Sequence, residues 1–183
     1  MREVVQFDQI TGEKHVADVK TIGGLVIELQ HSAMSLEELR SREAFYGHMI
    51  WIVDGRPFAN QFEVLPDPLP HPESSLLLDV VFFPQLASAF WRRSEATRGL
   101  RLVEMHRTSE IAEEIRANYC GHHFFRWKRA REVWQQAKAP VFIDFGGNEV
   151  LRIGTYNPPT QWCIRRLSKS DLVEKNGGTY TPY

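Results

Sequence analysis

Asp18, Glu28 and Gln30, with Lys20 between them, are the residues whose types and spacing could do chemistry. Two carboxylates brought close repel each other, so a fold keeps them together only if something positive lies between them or one keeps its proton. A hard divalent cation such as Mg²⁺ or Mn²⁺ suits the pair, because it takes one or two carboxylates and leaves its other positions to water and phosphate. The backbone carbonyl of Leu29 is a further candidate ligand. Gln30 stands two residues after Glu28, hence on the same strand face, where it can orient a water or a phosphate oxygen. Lys20 projects on that face as well. Asp18, Glu28 and Leu29 are therefore the candidate metal ligands, and Asp18, Glu28 and Gln30 the candidate catalytic residues.

These residues need a hairpin to position them. Lys14 to Thr21 and Leu25 to Gln30 alternate apolar and polar residues around an Ile22-Gly23-Gly24 break, which predicts two antiparallel strands. A three-residue loop with a glycine in the left-handed region pairs Thr21 with Leu25 and sets Asp18 opposite Glu28. Their Cβ atoms would then lie roughly 4.5–5.5 Å apart. A two-residue loop would move Asp18 to the other face; the oily faces match only in the longer register. Each strand should carry one oily and one charged face. Ser35-Leu36-Glu37-Glu38 forms a capping box that starts a helix running to about Gly47. On it Leu39, Arg42 and Tyr46 share a face. Arg42 can reach a phosphate or pair with Glu38, and Tyr46 can contact nucleic acid or pack in the core. His48 to Val53 reads as the next strand. His31 is placed to shuttle a proton, whereas His15 falls on the opposite strand face.

Asp18, the hairpin and Glu28-x-Gln30 resemble the active-site strand pair of the PD-(D/E)xK nuclease superfamily, with Gln where Lys is commonest. The wider string Ala17-Asp18-Val19, Val26-Ile27-Glu28-Leu29-Gln30-His31-Ser32, then Arg42, Tyr46 and Ile50-Trp51-Ile52 is similar to the competence protein CoiA-like nuclease family, whose pattern carries Gln at that position. The resemblance spans about residues 14 to 54. It implies an α/β fold, a small mixed β-sheet with flanking helices and a PD-(D/E)xK nuclease-like core. It also implies a Mg²⁺- or Mn²⁺-dependent endo- or exonuclease acting on DNA, in the processing of incoming or foreign DNA. Members usually add an acidic residue from a helix before the first strand, and Glu3 and Glu13 are poor candidates for it; a protein partner or second copy of the chain is left open as its source.

The remaining chain sets the context. Lys and Arg number 6 against 13 Asp and Glu over residues 1–80, and 16 against 10 over residues 81–183. An acidic half with a proposed cation site thus joins a basic half that could hold a polyanion. The division expected is 1–65 as the nuclease-like core, 66–75 as a Pro-rich connection, and 76–183 as a basic, aromatic-rich second part that can complete the same domain. Within it, Leu76 to Phe83 reads as a strand interrupted by Asp79, Pro84 to Arg93 as a helix, and Thr108 to Ala117 as a helix. Phe124 to Trp134 reads as a helix with Trp127, Ala130, Arg131 and Trp134 on one side. Lys128, Arg129 and Arg131 there join Lys20, Arg42 and Tyr46 as candidate nucleic-acid contacts. Pro140 to Phe145 and Val150 to Ile153 make a second hairpin, and the tail after Ser168 a short helix stopped at Gly177-Gly178. Cys120 and Cys163 lack C-x-x-C spacing, so free thiols are expected rather than a zinc site with His122 and His123. No apolar run reaches membrane-span length and no signal-peptide pattern opens the chain, which predicts a cytoplasmic protein without a membrane partner. The rival reading is a non-catalytic DNA-binding module, or a subunit of a larger DNA-processing complex.

Overall fold

Gly24 fixes the register on which the carboxylate pair depends. A computed structural model describes residues 4–7, 14–84, 88–96, 103–156 and 161–181, and in it Gly24 has φ +82°. That left-handed conformation costs a glycine nothing. It closes a turn in which the Thr21 amide donates to the Leu25 carbonyl (2.9 Å) and the Gly24 amide to the Thr21 carbonyl (3.0 Å). The chain reaches this turn through β1 (Val4–Phe7), antiparallel to β2 (Lys14–Ala17), a bend at Asp18, and β3 (Val19–Lys20). It leaves through β4 (Val26–Gln30). Val19 pairs with Ile27 and Lys20 with Val26, and the same register places Asp18 opposite Glu28, as the three-residue loop requires.

Beyond β4, the Ser35 hydroxyl accepts the Glu38 amide (3.1 Å) and starts α1 (Leu36–Tyr46), which Gly47 ends at φ +65°. β5 (Met49–Asp54) then lies parallel to β4, with Glu28 beside Trp51. Its apolar run is what a strand covered on both faces needs. The chain continues through β6 (Phe62–Pro70), β7 (Val80–Phe82), β8 (Ala89–Arg92), β9 (His106–Arg107), α2 (Ala112–Ala117), β10 (Tyr119–Trp127), β11 (Val141–Asp144), β12 (Glu149–Tyr156), β13 (Gln161–Ser168) and α3 (Lys169–Lys175). The fold is mixed α/β, with a large mixed sheet and few helices. Among the described residues no helix is long and apolar enough to cross a membrane.

Two compact units interleave along the sequence. The first draws on the chain up to Ala59, Arg129–Ile153 and the residues from Leu167 on; the second on Asn60–Lys128 and Gly154–Arg166. In the first the strand order is β3-β4-β5-β11-β12, with β11 parallel to β5 and antiparallel to β12. Parallel neighbours need a crossover, and most of the chain between β5 and β11 belongs to the second unit. On one face of the sheet Leu25, Ile50, Phe142 and Val150 form a core with Ile27, Ile52, Leu167 and Leu172. On the other, α1 covers Trp51, whose indole N–H donates to Glu43 Oε1 (3.2 Å) and whose ring meets Trp134 edge-on at 5.6 Å. Buried Glu43 also accepts the Lys138 amide (3.0 and 3.1 Å) and the Ala139 amide (2.9 Å), tying α1 to the segment before β11. In the second unit the order is β13-β10-β6, beside a three-stranded sheet β7-β8-β9. Its core gathers Leu69, Leu77, Phe82, Phe90, Ile115, Phe124 and Tyr156.

Several expectations are corrected here. Phe124 to Trp134 is not a helix: Tyr119–Trp127 is β10 and Glu132–Gln135 a 3₁₀ turn. Aromatic residues favour strands, and β10 is flanked by β6 and β13. Pro84 to Arg93 is not a helix either; Ala89–Arg92 pairs with β7 and β9, and residues 85–87 lie outside the described set. The Pro-rich stretch after Leu65 runs as β6, which ends the strand order of its sheet and shifts register against β10. Edge strands with bulges are where prolines are tolerated. The strand expected from Leu76 begins only after Asp79, as β7, behind a 3₁₀ turn. The units also do not follow the contiguous 1–65 and 76–183 division, since β11 and α3 return to the first of them. The hairpin β11–β12 and α3 with Gly177 at φ +78° stand as expected, and of the helix expected over Thr108 to Ala117 the first part, Thr108–Ile111, is a 3₁₀ turn leading into α2. Glu3 and Glu13 lie outside the described residues.

Candidate functional site

Alternation along β4 puts Glu28 on the face that α1 covers, and this makes the charged face of the hairpin a buried one. Val26 is 2% exposed and Glu28 1%, whereas Leu29, expected on the oily face, is 42% exposed. Arg42 reaches Glu28 from α1: its Nη1 donates to Glu28 Oε2 at 2.5 Å, while Nη2 donates to Glu38 Oε1 at 2.8 Å one turn earlier. Arg42 thus makes the ion pair with Glu38 that is one of its two expectations, and adds a second with Glu28. Tyr46, one turn further along α1, brings its phenol to the same carboxylate. Glu28 Oε1 is buried, and Arg42 donates to its companion oxygen Oε2.

The electrostatics follow from this enclosure. Burial pushes the Glu28 carboxyl above its ordinary value; Arg42 opposes the shift by charge and hydrogen bond, and the Asp18 charge adds to it. Burial also lowers the Arg42 guanidinium, but Glu28 and Glu38 outweigh this and raise it. The Tyr46 phenol is pushed up to about 12, first by burial and then by the charge on Glu28. Asp18 sits at the bend before β3, half-buried, and its Oδ2 accepts the Leu29 amide at 2.8 Å. Asp18, Glu28, Arg42 and Tyr46 thus form one electrostatic cluster.

The other predicted residues are placed differently. Gln30 follows Glu28 on the same strand face, but its Nε2 donates to the Ser32 carbonyl (3.0 Å) and Ser32 Oγ (3.1 Å). Lys20 is exposed on β3, two residues from Asp18. Lys128 is exposed in the second unit, just after β10. Arg129 is exposed, and Arg131 is half-buried with its guanidinium carbon 5.0 Å from the centre of the Phe58 ring. Trp134, expected beside them on a helix, is a core residue 2% exposed. Cys120 and Cys163 are free thiols, the latter pushed up to about 12 by burial.

Sequence reasoning missed a second charged region on the first unit. At the carboxyl ends of the parallel strands β4, β5 and β11, a cleft of about 340 Å³ is lined by Leu29, His31, Ile52, Asp54, Arg56, Asp144 and Lys169, among others. Asp54 and Asp144 are register partners. Asp54 accepts Arg56 Nε and Nη2, both at 2.9 Å, and His31 Nδ1 lies 3.4 Å away. Lys169 Nζ lies 2.8 Å from Asp144. His31 therefore serves Asp54 on this side. The signal was present: Met49–Asp54 and Val141–Asp144 are both apolar runs ending in Asp, as two buried parallel strands with aligned ends would be.

Asp18 and Glu28 offer the donor set a hard divalent cation takes. The donors are carboxylate oxygens, which such ions prefer, and Arg42 donates to Glu28 Oε2 but not to the buried Oε1. Asp18 keeps a second oxygen beyond the one bound to the Leu29 amide. The residues fit, with the positive charge supplied from within by Arg42. No protein-family model matches the chain, and no curated protein or solved structure matches it.

Proposed function

We propose that the chain is a Mg²⁺- or Mn²⁺-dependent nuclease that hydrolyses DNA phosphodiester bonds, of the PD-(D/E)xK type and similar to the CoiA-like family, acting on incoming or foreign DNA. The observation that carries the reading is Glu28: a carboxylate 1% exposed, in register with Asp18 across the β3–β4 turn and held between the Arg42 guanidinium and the Tyr46 phenol. Burying such a group costs stability, which a purely structural hairpin would avoid by placing an apolar residue there. The order β3, β4, α1, β5, with β5 parallel to β4, supports a nuclease-like core.

Asp18 and Glu28 would hold the cation, with the Leu29 carbonyl as a further donor. When bound, the cation would supply an acidified water and offset charge on the scissile phosphate. Arg42, already in the cluster, can transfer one arm of its guanidinium to a phosphate oxygen while the other stays on Glu38. Tyr46 keeps its proton at neutral pH and can donate a hydrogen bond. Gln30 must release Ser32 to orient the attacking water; it carries no charge, and Lys20 is the nearest lysine in sequence that could supply it.

The test is incubation of the purified chain with plasmid and linear single-stranded DNA in Mg²⁺, Mn²⁺ or chelator, beside Asp18→Ala and Glu28→Ala. Cleavage should require metal and disappear in both variants. Metal-dependent cleavage that survives in both contradicts the assignment. One observation favours a second reading, a non-catalytic DNA-binding module: the 2.5 Å Arg42–Glu28 pair already neutralises the carboxylate. DNA binding without cleavage under any metal is the outcome that reading expects.

A further inference from the structure

In the second unit, among the described residues, one imidazole faces three carboxylates. His106 begins β9, with its Nε2 2.6 Å from Glu95 Oε2 and its Nδ1 3.5 Å from Glu110 Oε2. Glu104 completes the group: one ligating atom each from Glu95, Glu104 and His106 lie within 4.8 Å of one another. The ring is not free to turn away, because it stacks on fully buried Phe90 at 5.1 Å with planes 25° apart. Glu110 is held separately, its Oε1 accepting the Arg107 amide at 3.0 Å. Three carboxylates therefore surround one imidazole. The nearby Arg92 is shared, 3.1 Å from Asp79 and 3.8 Å from Glu95. Even with His106 protonated, the carboxylates outnumber the cations in contact with them among the described residues.

The geometry points to a divalent transition-metal site of the zinc type, formed by Glu95, Glu104 and Nε2 of His106. An imidazole nitrogen with two carboxylates suits Zn²⁺ and its neighbours rather than Mg²⁺, which prefers oxygen alone. Tetrahedral ligands about 2.1 Å from zinc lie about 3.4 Å from one another, so small side-chain rotations bring these three atoms into place. The ion takes the position of the proton now shared between His106 Nε2 and Glu95, and that proton leaves to solvent. Glu110 then accepts the hydrogen on Nδ1, the carboxylate–histidine–metal arrangement that fixes a ligating ring. Three protein ligands leave the fourth position to water. The site does not depend on the nuclease reading, since none of its residues belongs to the Asp18–Glu28 cluster.

The test is calorimetric titration of the full chain with Zn²⁺ in a Cys120→Ser background, which removes the exposed thiol, with excess Mg²⁺ to occupy any hard-cation site. Absorption spectra with Co²⁺ in place of Zn²⁺ report the coordination. One zinc per chain and the visible bands of four-coordinate cobalt are expected. Both should weaken about tenfold or more in Glu104→Gln and His106→Gln, and remain in Asp18→Asn. Glu104 is exposed, so Glu104→Gln keeps its thermal midpoint and separates lost ligation from lost folding. Absence of saturable zinc binding, binding unchanged in both ligand variants, or binding abolished by Asp18→Asn would overturn the proposal.

Discussion

Glu28 and Arg42 show how a pair of residues can be worth more broken than its net stabilisation suggests. Removing Arg42 leaves an ionisable group that is 1% exposed, with the Tyr46 phenol and the like charge of Asp18 acting on it. Arg42→Met should cost about 3 kcal/mol, read as a lower urea midpoint with an unchanged slope. Arg42→Met combined with Glu28→Gln should cost less than the two singly, because no charge is left stranded. The pH dependence has a definite sign. The folded value of Glu28 is raised, so the fold favours its protonated form, and that contribution is complete below the ordinary value of 4.5 and lost as pH rises through the raised one. Glu28→Gln stays neutral throughout, so unfolding measured from acid to neutral pH should show the variant gaining on the wild type across that interval. Metal binding needs the ionised form, and Mn²⁺ affinity should fall as the same group protonates.

At the scale of elements, the β3–β4 turn decides whether two carboxylates meet. Deleting Ile22, which is fully exposed at the tip, shortens the loop and rotates Asp18 to the other face. The variant should keep its strand content by circular dichroism and lose Mn²⁺ binding. This turn was legible in the sequence, because Gly-Gly between two alternating runs admits few registers and only one matches their apolar faces. The helix after Ser35 was legible for the same kind of reason: a local cap and a local stop define it. Burial of Glu28 was not legible, since it depends on α1 lying over the strand and on Arg42 meeting the carboxylate there. Phe124 to Trp134 misled because aromatic residues at helical spacing also alternate; pairing with β6 and β13, distant in sequence, decided between the two periods. The prolines of β6 misled because only its place at the end of the strand order makes them admissible.

At the scale of the molecule, the units are assembled from separated stretches of chain, and this limits how the protein can be cut. Glu43 on α1 takes its hydrogen bonds from Lys138 and Ala139, and β5 takes β11 as its parallel neighbour. A fragment of residues 1–65 has neither, so it should unfold without a cooperative transition in urea while the full chain shows one. The contiguous division drawn from composition failed here for a physical reason: proline content reports local conformation, whereas unit membership is set by strand pairing across the whole sequence. The central claim concerns a single pair of carboxylates, and the most direct test is a crystal grown with Mn²⁺, read by its anomalous signal. The account predicts a peak between Asp18 and Glu28, with the Arg42 guanidinium moved off Glu28 Oε2. Continued 2.5 Å contact between Arg42 and Glu28, with no manganese beside either carboxylate at saturating concentration, would contradict it.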